Sequence, residues 1–328
     1  MVKDGYTSKL VAHVDPLKPL NVVSLDKTPA SDTIANDDIT GVILDNYGMP
    51  VVGASVEFVG VNYKSGATFG GGYEGIGALA ISNEKGEFCL PCRKTVKSYD
   101  GSTVTVLSIY ATVQARGFAN TTLVLKPKSV ARNIVHMTVG ATVTGQVVDT
   151  NGKPIPQAVI EVLETDRNCQ TFTGWNTIAT DSHGAFTLPC ARANAQSVAC
   201  VHMTSLLKSG SAAQQINFKT PGNGKSINLG VIRTVPDATI TGHLILPGGG
   251  ALPEYTRIML DRDGTWDSQE VIAGPGGSYT FQGVPVGEPM SLYSNVHVGN
   301  QRYSVNKEVT VPAGQSTADY VLTLGLQR

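Results

Sequence analysis

The feature that most limits what this chain can fold into is that it repeats itself. One stretch runs Ile39-Thr40-Gly41-Val42-Ile43-Leu44-Asp45, then Gly48, Pro50 and Ala54. A second runs Val143-Thr144-Gly145-Gln146-Val147-Val148-Asp149, then Gly152, Pro154 and Ala158 at identical offsets. A third opens as Ile240-Thr241-Gly242-His243-Leu244-Ile245 and continues into a degenerate turn, Pro247-Gly248-Gly249-Gly250. Each copy carries a later landmark: Gly86-Glu87-Phe88-Cys89-Leu90, Gly184-Ala185-Phe186-Thr187-Leu188 and Gly277-Ser278-Tyr279-Thr280-Phe281. A polar turn ending in Gly, then aromatic and aliphatic residues two apart, predicts a hairpin feeding a core strand.

The rest of the sequence agrees with strands. Gly (36) and Pro (17) punctuate short apolar alternations, and no capped run of apolar residues at i, i+3, i+4, i+7 predicts a helix. The fold expected is all-β: tandem Greek-key, Ig-like or transthyretin-like sandwiches stacked as a rod, held by antiparallel ladders and apolar contacts between modules. The modules expected are 39–139, 140–235 and a degenerate 236–328, joined by short linkers. Residues 5–25 match 117–137 without a gap. Residues 1–27 are therefore expected to be the C-terminal half of a preceding module, with 28–38 as a linker, and the chain to be part of a longer protein or to be completed by another chain. Residues expected to hold the repeat together are Gly41, Pro50, Gly86 and Phe88; Gly145, Pro154, Gly184 and Phe186; and Gly242, Gly277 and Tyr279.

The pattern Gly-x-Val-x-Asp, Gly-x-Pro, then Gly-x-Phe after a polar turn resembles the carboxypeptidase regulatory-like domain. That resemblance implies a prealbumin-like sandwich without catalysis, found beside peptidases, receptors and surface proteins and similar to carbohydrate-binding folds.

Composition narrows the partners. Lys and Arg number 25 against 26 Asp and Glu, for a formal charge of −1, which leaves no basic footprint for nucleic acid. No apolar run reaches the ~20 residues needed to span a bilayer. No apolar leader core precedes the first repeat-like segment. The expected location is extracellular or at a cell surface, as part of a larger protein.

Motifs that would carry chemistry are weak. Gly70–Gly75 spells a dinucleotide fingerprint, but no βαβ unit surrounds it. Gly222-Asn223-Gly224-Lys225-Ser226 lacks the first glycine of a phosphate loop, since Lys219 stands there. The six histidines show no zinc-protease spacing. Five cysteines include Cys89 and Cys92, which in an extended strand lie about 10 Å apart, too far for a disulfide. Buried thiols are expected, with Cys92 and Cys190 equivalent; a Cys169–Cys190 or Cys190–Cys200 bridge is the alternative. Asp261–Asp267 has calcium-like spacing without the distal Glu. No enzyme, cofactor or metal is expected.

The aromatics are more suggestive. Each module places aromatic residues in an insertion after its second strand: Tyr63, Phe69 and Tyr73; Phe172 and Trp175; Trp266. Tyr73, Trp175, Asn176, Asp263, Trp266 and Asp267 are the candidate ligand-binding residues, for a glycan. The competing expectation is that these rings pack over the sandwich end or on the next module. The leading function is a structural or interaction segment whose partners are other domains of the same or another protein. The alternatives are glycan binding and a filament subunit completed by strand addition.

Overall fold

The opening strand of each repeat becomes the middle strand of a three-stranded sheet. In this computed structural model, which describes residues 35–69, 73–98, 101–165 and 177–327, the arrangement occurs three times. Ile39–Leu44 lies between Asn133–His136 and Glu87–Leu90; Ala141–Val148 between Ser226–Arg233 and Ala185–Ala191; Ala238–Ile245 between Thr317–Thr323 and Ser278–Val284. A second sheet faces each one, centred on Ser55–Tyr63 with Ser108–Gln114, on Val159–Glu164 with Gln196–Val201, and on Arg257–Arg262 with Met290–Val298. Alternation along these strands sends one face inward. Each pair of sheets accordingly encloses its own apolar core, for example Ile43, Phe88 and Ile109; Val143, Ile160 and Phe186; Ile240, Leu260 and Phe281. The chain is all-β and Ig-like. No helix among the described residues is long and apolar enough to cross a membrane.

The described residues through Gly140 form one compact unit, and those from Ala141 onward form another that holds the second and third sandwiches together.

One expectation changes. The ladders are not antiparallel throughout. The opening strand of every module runs parallel to its closing strand, with Gly41 beside Asn133, Val147 beside Ile232 and Gly242 beside Tyr320. The chain leaves each sandwich on a strand that travels in the direction in which it entered. A pull on the two ends therefore shears a whole ladder of hydrogen bonds at once instead of peeling them singly.

The repeat glycines have a packing reason. Gly41, Gly145 and Gly242 stand directly across from Phe88, Phe186 and Tyr279 on the neighbouring strand. A β-carbon there would lie 2.8 Å, 2.7 Å and 2.7 Å from the respective rings, so each ring covers the bare backbone. Gly86, Gly184 and Gly277 close the hairpin at φ of 73°, 70° and 80°.

Two modules organise their turns with a carboxylate or amide side chain. Asp45 and Asp149 each accept from two backbone N–H groups, those of Tyr47 and Met49 and those of Asn151 and Lys153. Asn83 and Asp181 do the same in the second hairpin. The third module lacks these side chains and makes both turns from Pro-Gly-Gly, at Pro247–Gly249 and Pro275–Gly277. That is why its sequence looks degenerate while its sheets do not.

The proposed half module at 1–27 and most of the 28–38 linker lie outside the described residues. The end of that linker belongs to the first sandwich: Asp38 accepts from Cys92 N–H at 3.0 Å, and its carbonyl accepts from Lys128 N–H at 2.8 Å.

Candidate functional site

Two charged residues are buried within strands, Arg262 on the core-facing side of one and Glu161 on the outward side of another. In Arg257–Arg262, Ile258, Leu260 and Arg262 share the inward face, and Arg262 is 1% exposed at its end. In Val159–Glu164, Ile160 and Val162 point into the second core, while Glu161 and Leu163 on the opposite face are buried too. A strand buried on both faces must be covered by something. The cover is the loop Asp263–Asp267 of the third module, whose Trp266 N–H donates to Glu161 Oε2 at 3.1 Å.

The result is a polar junction between the second and third modules. Arg262 Nε and Nη2 donate to Glu288 Oε2 at 3.0 and 2.6 Å, and Nη1 donates to Asp267 Oδ2 at 3.1 Å. Nη1 also donates to the Val201 carbonyl and Nη2 to that of Ala213, both at 3.0 Å and both in the second module. The planar guanidinium thus meets two carboxylates and two backbone acceptors at once. The carboxylates reach back across: Asp267 accepts from Met203 N–H at 2.9 and 3.0 Å, and Glu288 Oε1 from Gln215 N–H at 2.6 Å. Burial opposes the charge on Arg262, but Glu288 and Asp267 outweigh it and raise its pKa. Burial pushes the Asp267 carboxyl above the ordinary range, with Arg262 pulling the other way.

Apolar packing joins the same elements. The single helical turn Met203–Leu206 puts Leu206 into the core of the second module and Met203 into that of the third. Burying Met203 contributes about 1.5–3 kcal/mol to holding the modules together. The connection itself is short, because Val235–Pro236 pairs with Ser211–Ala212 and Ala238 already begins the next strand.

No family model matches the chain, and no curated protein matches its sequence. Solved structures do. The TIE protein of Bacillus anthracis is 12% identical over 88% of this chain and 51% of its own, with a TM-score of 0.25, so this chain spans about half of that one. A streptococcal ancillary pilin is 10% identical over 87% of this chain and 99% of its own, with a TM-score of 0.25. The minor pilin GBS52 of Streptococcus agalactiae is 12% identical over 60% of this chain and 97% of its own, with a TM-score of 0.30. Scores this low do not establish a common arrangement of the whole chain.

Among the described residues expected to bind a ligand, Asp263, Trp266 and Asp267 share one loop of the third module, whereas Tyr73 lies in the first. Tyr73 belongs to the first core, 9% exposed and edge-on to Phe58 at 5.9 Å between ring centres. Its segment Tyr73–Ile76 is a strand paired with Cys92–Ser98, not a loop. Asp267 is 1% exposed and occupied by Arg262 and Met203, which also removes it from a calcium loop. Trp266 is half-buried over Glu161, and Asp263 is exposed with its carbonyl accepting from Gln215 Nε2 at 3.0 Å. Trp175, Asn176, Phe172 and Cys169 lie outside the described residues.

The thiols divide differently from the expectation too. Cys89, Cys92, Cys190 and Cys200 are all free, so there is no Cys190–Cys200 bridge. Cys92 and Cys190 are not equivalent: Cys92 is buried, whereas Cys190 is half-exposed at φ 63°, where the ladder to the opening strand shifts register. Burial, with Asp38 beside them, pushes the Cys89 and Cys92 thiols up to about 11 and about 12.

One set of His, Cys, Asp and Glu groups among the described residues could hold a metal ion. Glu161, Cys200 and His202 bring their ligand atoms within 4.8 Å of one another at the edge of the Arg262 junction. The sequence signal for it is faint: a Cys-x-His at the end of one strand and a Glu between the apolar residues of another.

Proposed function

We propose that this chain is a non-catalytic structural segment, made of carboxypeptidase regulatory-like modules at 39–139, 140–235 and 236–328, in which the second and third are locked at one fixed angle. The observation that carries this reading is Arg262, a fully buried guanidinium whose acceptors come from both modules. Buried ion pairs add little net stability, because desolvation offsets their attraction. Their effect is geometric. The three charged groups all belong to the third module and stay paired at any angle, but another angle would strip them of the Val201 and Ala213 carbonyls and the Met203 and Gln215 amides of the second module, at about 1–3 kcal/mol for each polar group left buried without a partner. A flexible tether between independent modules has no use for such a device; a spacer that holds a neighbouring domain at a set distance does. The setting that fits is the outside of a cell, within a larger surface or secreted protein, with other protein domains as partners.

Stretching single molecules by their ends tests the load-bearing part. The parallel terminal strands predict that each module resists and then yields in one step, releasing roughly 300 Å, the length of its ~100 extended residues. Smooth extension at low force, without discrete steps, would remove the reading.

A further inference from the structure

We infer that Glu161, Cys200 and His202 form a binding site for a divalent transition-metal ion of the zinc class, set into the junction of the second and third modules. Strand register builds it. Glu161 is paired directly with Cys200 across the antiparallel ladder, and His202 follows Cys200 by two residues. Cross-strand partners face the same side of a sheet, and residues two apart on a strand do as well. All three side chains therefore rise from one patch, on the face turned away from the core of the second module.

Two of the three distances between ligand atoms suit an ion, and the third, between Cys200 and His202, is within 4.8 Å. Zinc bonds of about 2.0–2.3 Å give a tetrahedron with edges of about 3.3–3.6 Å. Glu161 Oε2 lies 3.4 Å from His202 Nε2 and 3.6 Å from Cys200 Sγ. Hydrogen bonding alone does not explain the cluster. Glu161 Oε1 is buried without any hydrogen-bond partner, the Glu161 side chain is 0% exposed, and His202 Nε2 has only its 3.4 Å ion pair with Glu161 Oε2. Such orphaned groups are rare in folded proteins and carry a penalty of about 1–3 kcal/mol each. A metal ion bound by His202 Nε2 and by Glu161 through both carboxylate oxygens would reach Oε1 as well.

Charge points the same way. The buried groups of the junction set three carboxylates, Glu161, Asp267 and Glu288, against one guanidinium, Arg262. A bound dication offsets that excess. The donor set selects the ion: a thiolate and an imidazole suit zinc and its neighbours, whereas calcium and magnesium take oxygen ligands. Binding needs Cys200 as thiolate, so its S–H proton, now directed at Glu161, passes to solvent as the Sγ–metal bond forms. Three protein ligands leave the fourth position to water. The site is independent of whether the chain bears load, and the two can fail separately.

The test uses the full chain stripped with a chelator. Zinc is titrated against a chromophoric competitor, and cobalt(II) against the near-ultraviolet absorption of a thiolate-to-cobalt charge transfer. The expected result is one ion per chain with a cobalt–thiolate band. Cys200→Ser and His202→Gln should each weaken binding at least about tenfold, whereas the double variant Cys89→Ser/Cys92→Ser keeps it. His202 is the partly exposed ligand, so its variant reports on binding even where Cys200→Ser fails to fold. No zinc uptake by the wild-type chain, or uptake abolished by Cys89→Ser/Cys92→Ser and kept in His202→Gln, overturns the assignment.

Discussion

Replacing Arg262 with Ala is expected to destabilise the unit from Ala141 onward by about 3–5 kcal/mol, the usual effect of removing one partner from a buried ion-pair network. The size follows from what is left behind. Asp267 and Glu288 keep their places at 1% and 8% exposure with no cation between them, and the carbonyls of Val201 and Ala213 lose their donor. Urea denaturation of the full chain, followed by a probe in the second or third module, reads the shift in midpoint. A companion variant separates geometry from stability. Arg262→Met with Asp267→Leu and Glu288→Leu removes all three charges, so it avoids unpaired buried ions but leaves the Met203 and Gln215 amides and the Val201 and Ala213 carbonyls without these partners. If the triple variant recovers stability but lets the two modules adopt more than one angle, the network sets orientation. A loss below about 1 kcal/mol for Arg262→Ala would mean that the junction is solvated, contrary to the burial described.

Gly86→Ala is expected to cost about 2–5 kcal/mol, above Gly48→Ala in the same module. Both glycines have positive φ, 73° and 79°, so both substitutions incur the left-handed penalty of about 1–2 kcal/mol. They differ in what the new methyl meets. At Gly48 nothing lies within 4 Å. At Gly86 the methyl falls on the Ile43 carbonyl oxygen, with Pro50 Cα and Cβ at 3.3 Å, and these are backbone or ring atoms that cannot swing aside. Crowding of that kind adds about 1–3 kcal/mol. The same carbonyl contact recurs at Gly184 with Val147 and at Gly277 with Leu244, so the contrast should hold in every module. Equal losses for Gly86→Ala and Gly48→Ala would show that backbone strain alone explains the repeat glycine.

These glycines mark what could be read from the amino-acid sequence. Gly41, Gly86 and Phe88 recur because each module needs the same backbone approach, and a local need leaves a local signature. The turn of the third module is the instructive exception. Pro-Gly-Gly makes the bend that Asp45 and Asn83 make elsewhere, so the sequence changed while the geometry did not. The parallel closing strand could not be read, because parallel and antiparallel neighbours share the same alternation. The junction was half legible. Arg262 is in phase with Ile258 and Leu260, which marks it as inward, yet the flanking Asp261 and Asp263 suggest a solvated or calcium-binding loop. Glu161 has the ordinary position of a solvent-facing strand residue; only the next module's loop, folded over it, makes it a buried group. Long-range cover of this kind leaves no trace in spacing. Tyr73 lies in a core strand instead of an open loop for a related reason, since an insertion can be a paired strand as readily as a loop.

Hydrogen exchange at three backbone amides tests the fixed junction most directly. Met203, Gln215 and Trp266 each donate their N–H to a carboxylate on the other module, and none of the three bonds belongs to a β-ladder. If the modules are locked, these amides exchange as slowly as core-strand amides such as Val143 and Ile240, and Arg262→Ala speeds them selectively. Exchange of all three at loop rates in the wild-type chain, with the strands still protected, would show that the modules open freely and would contradict the account.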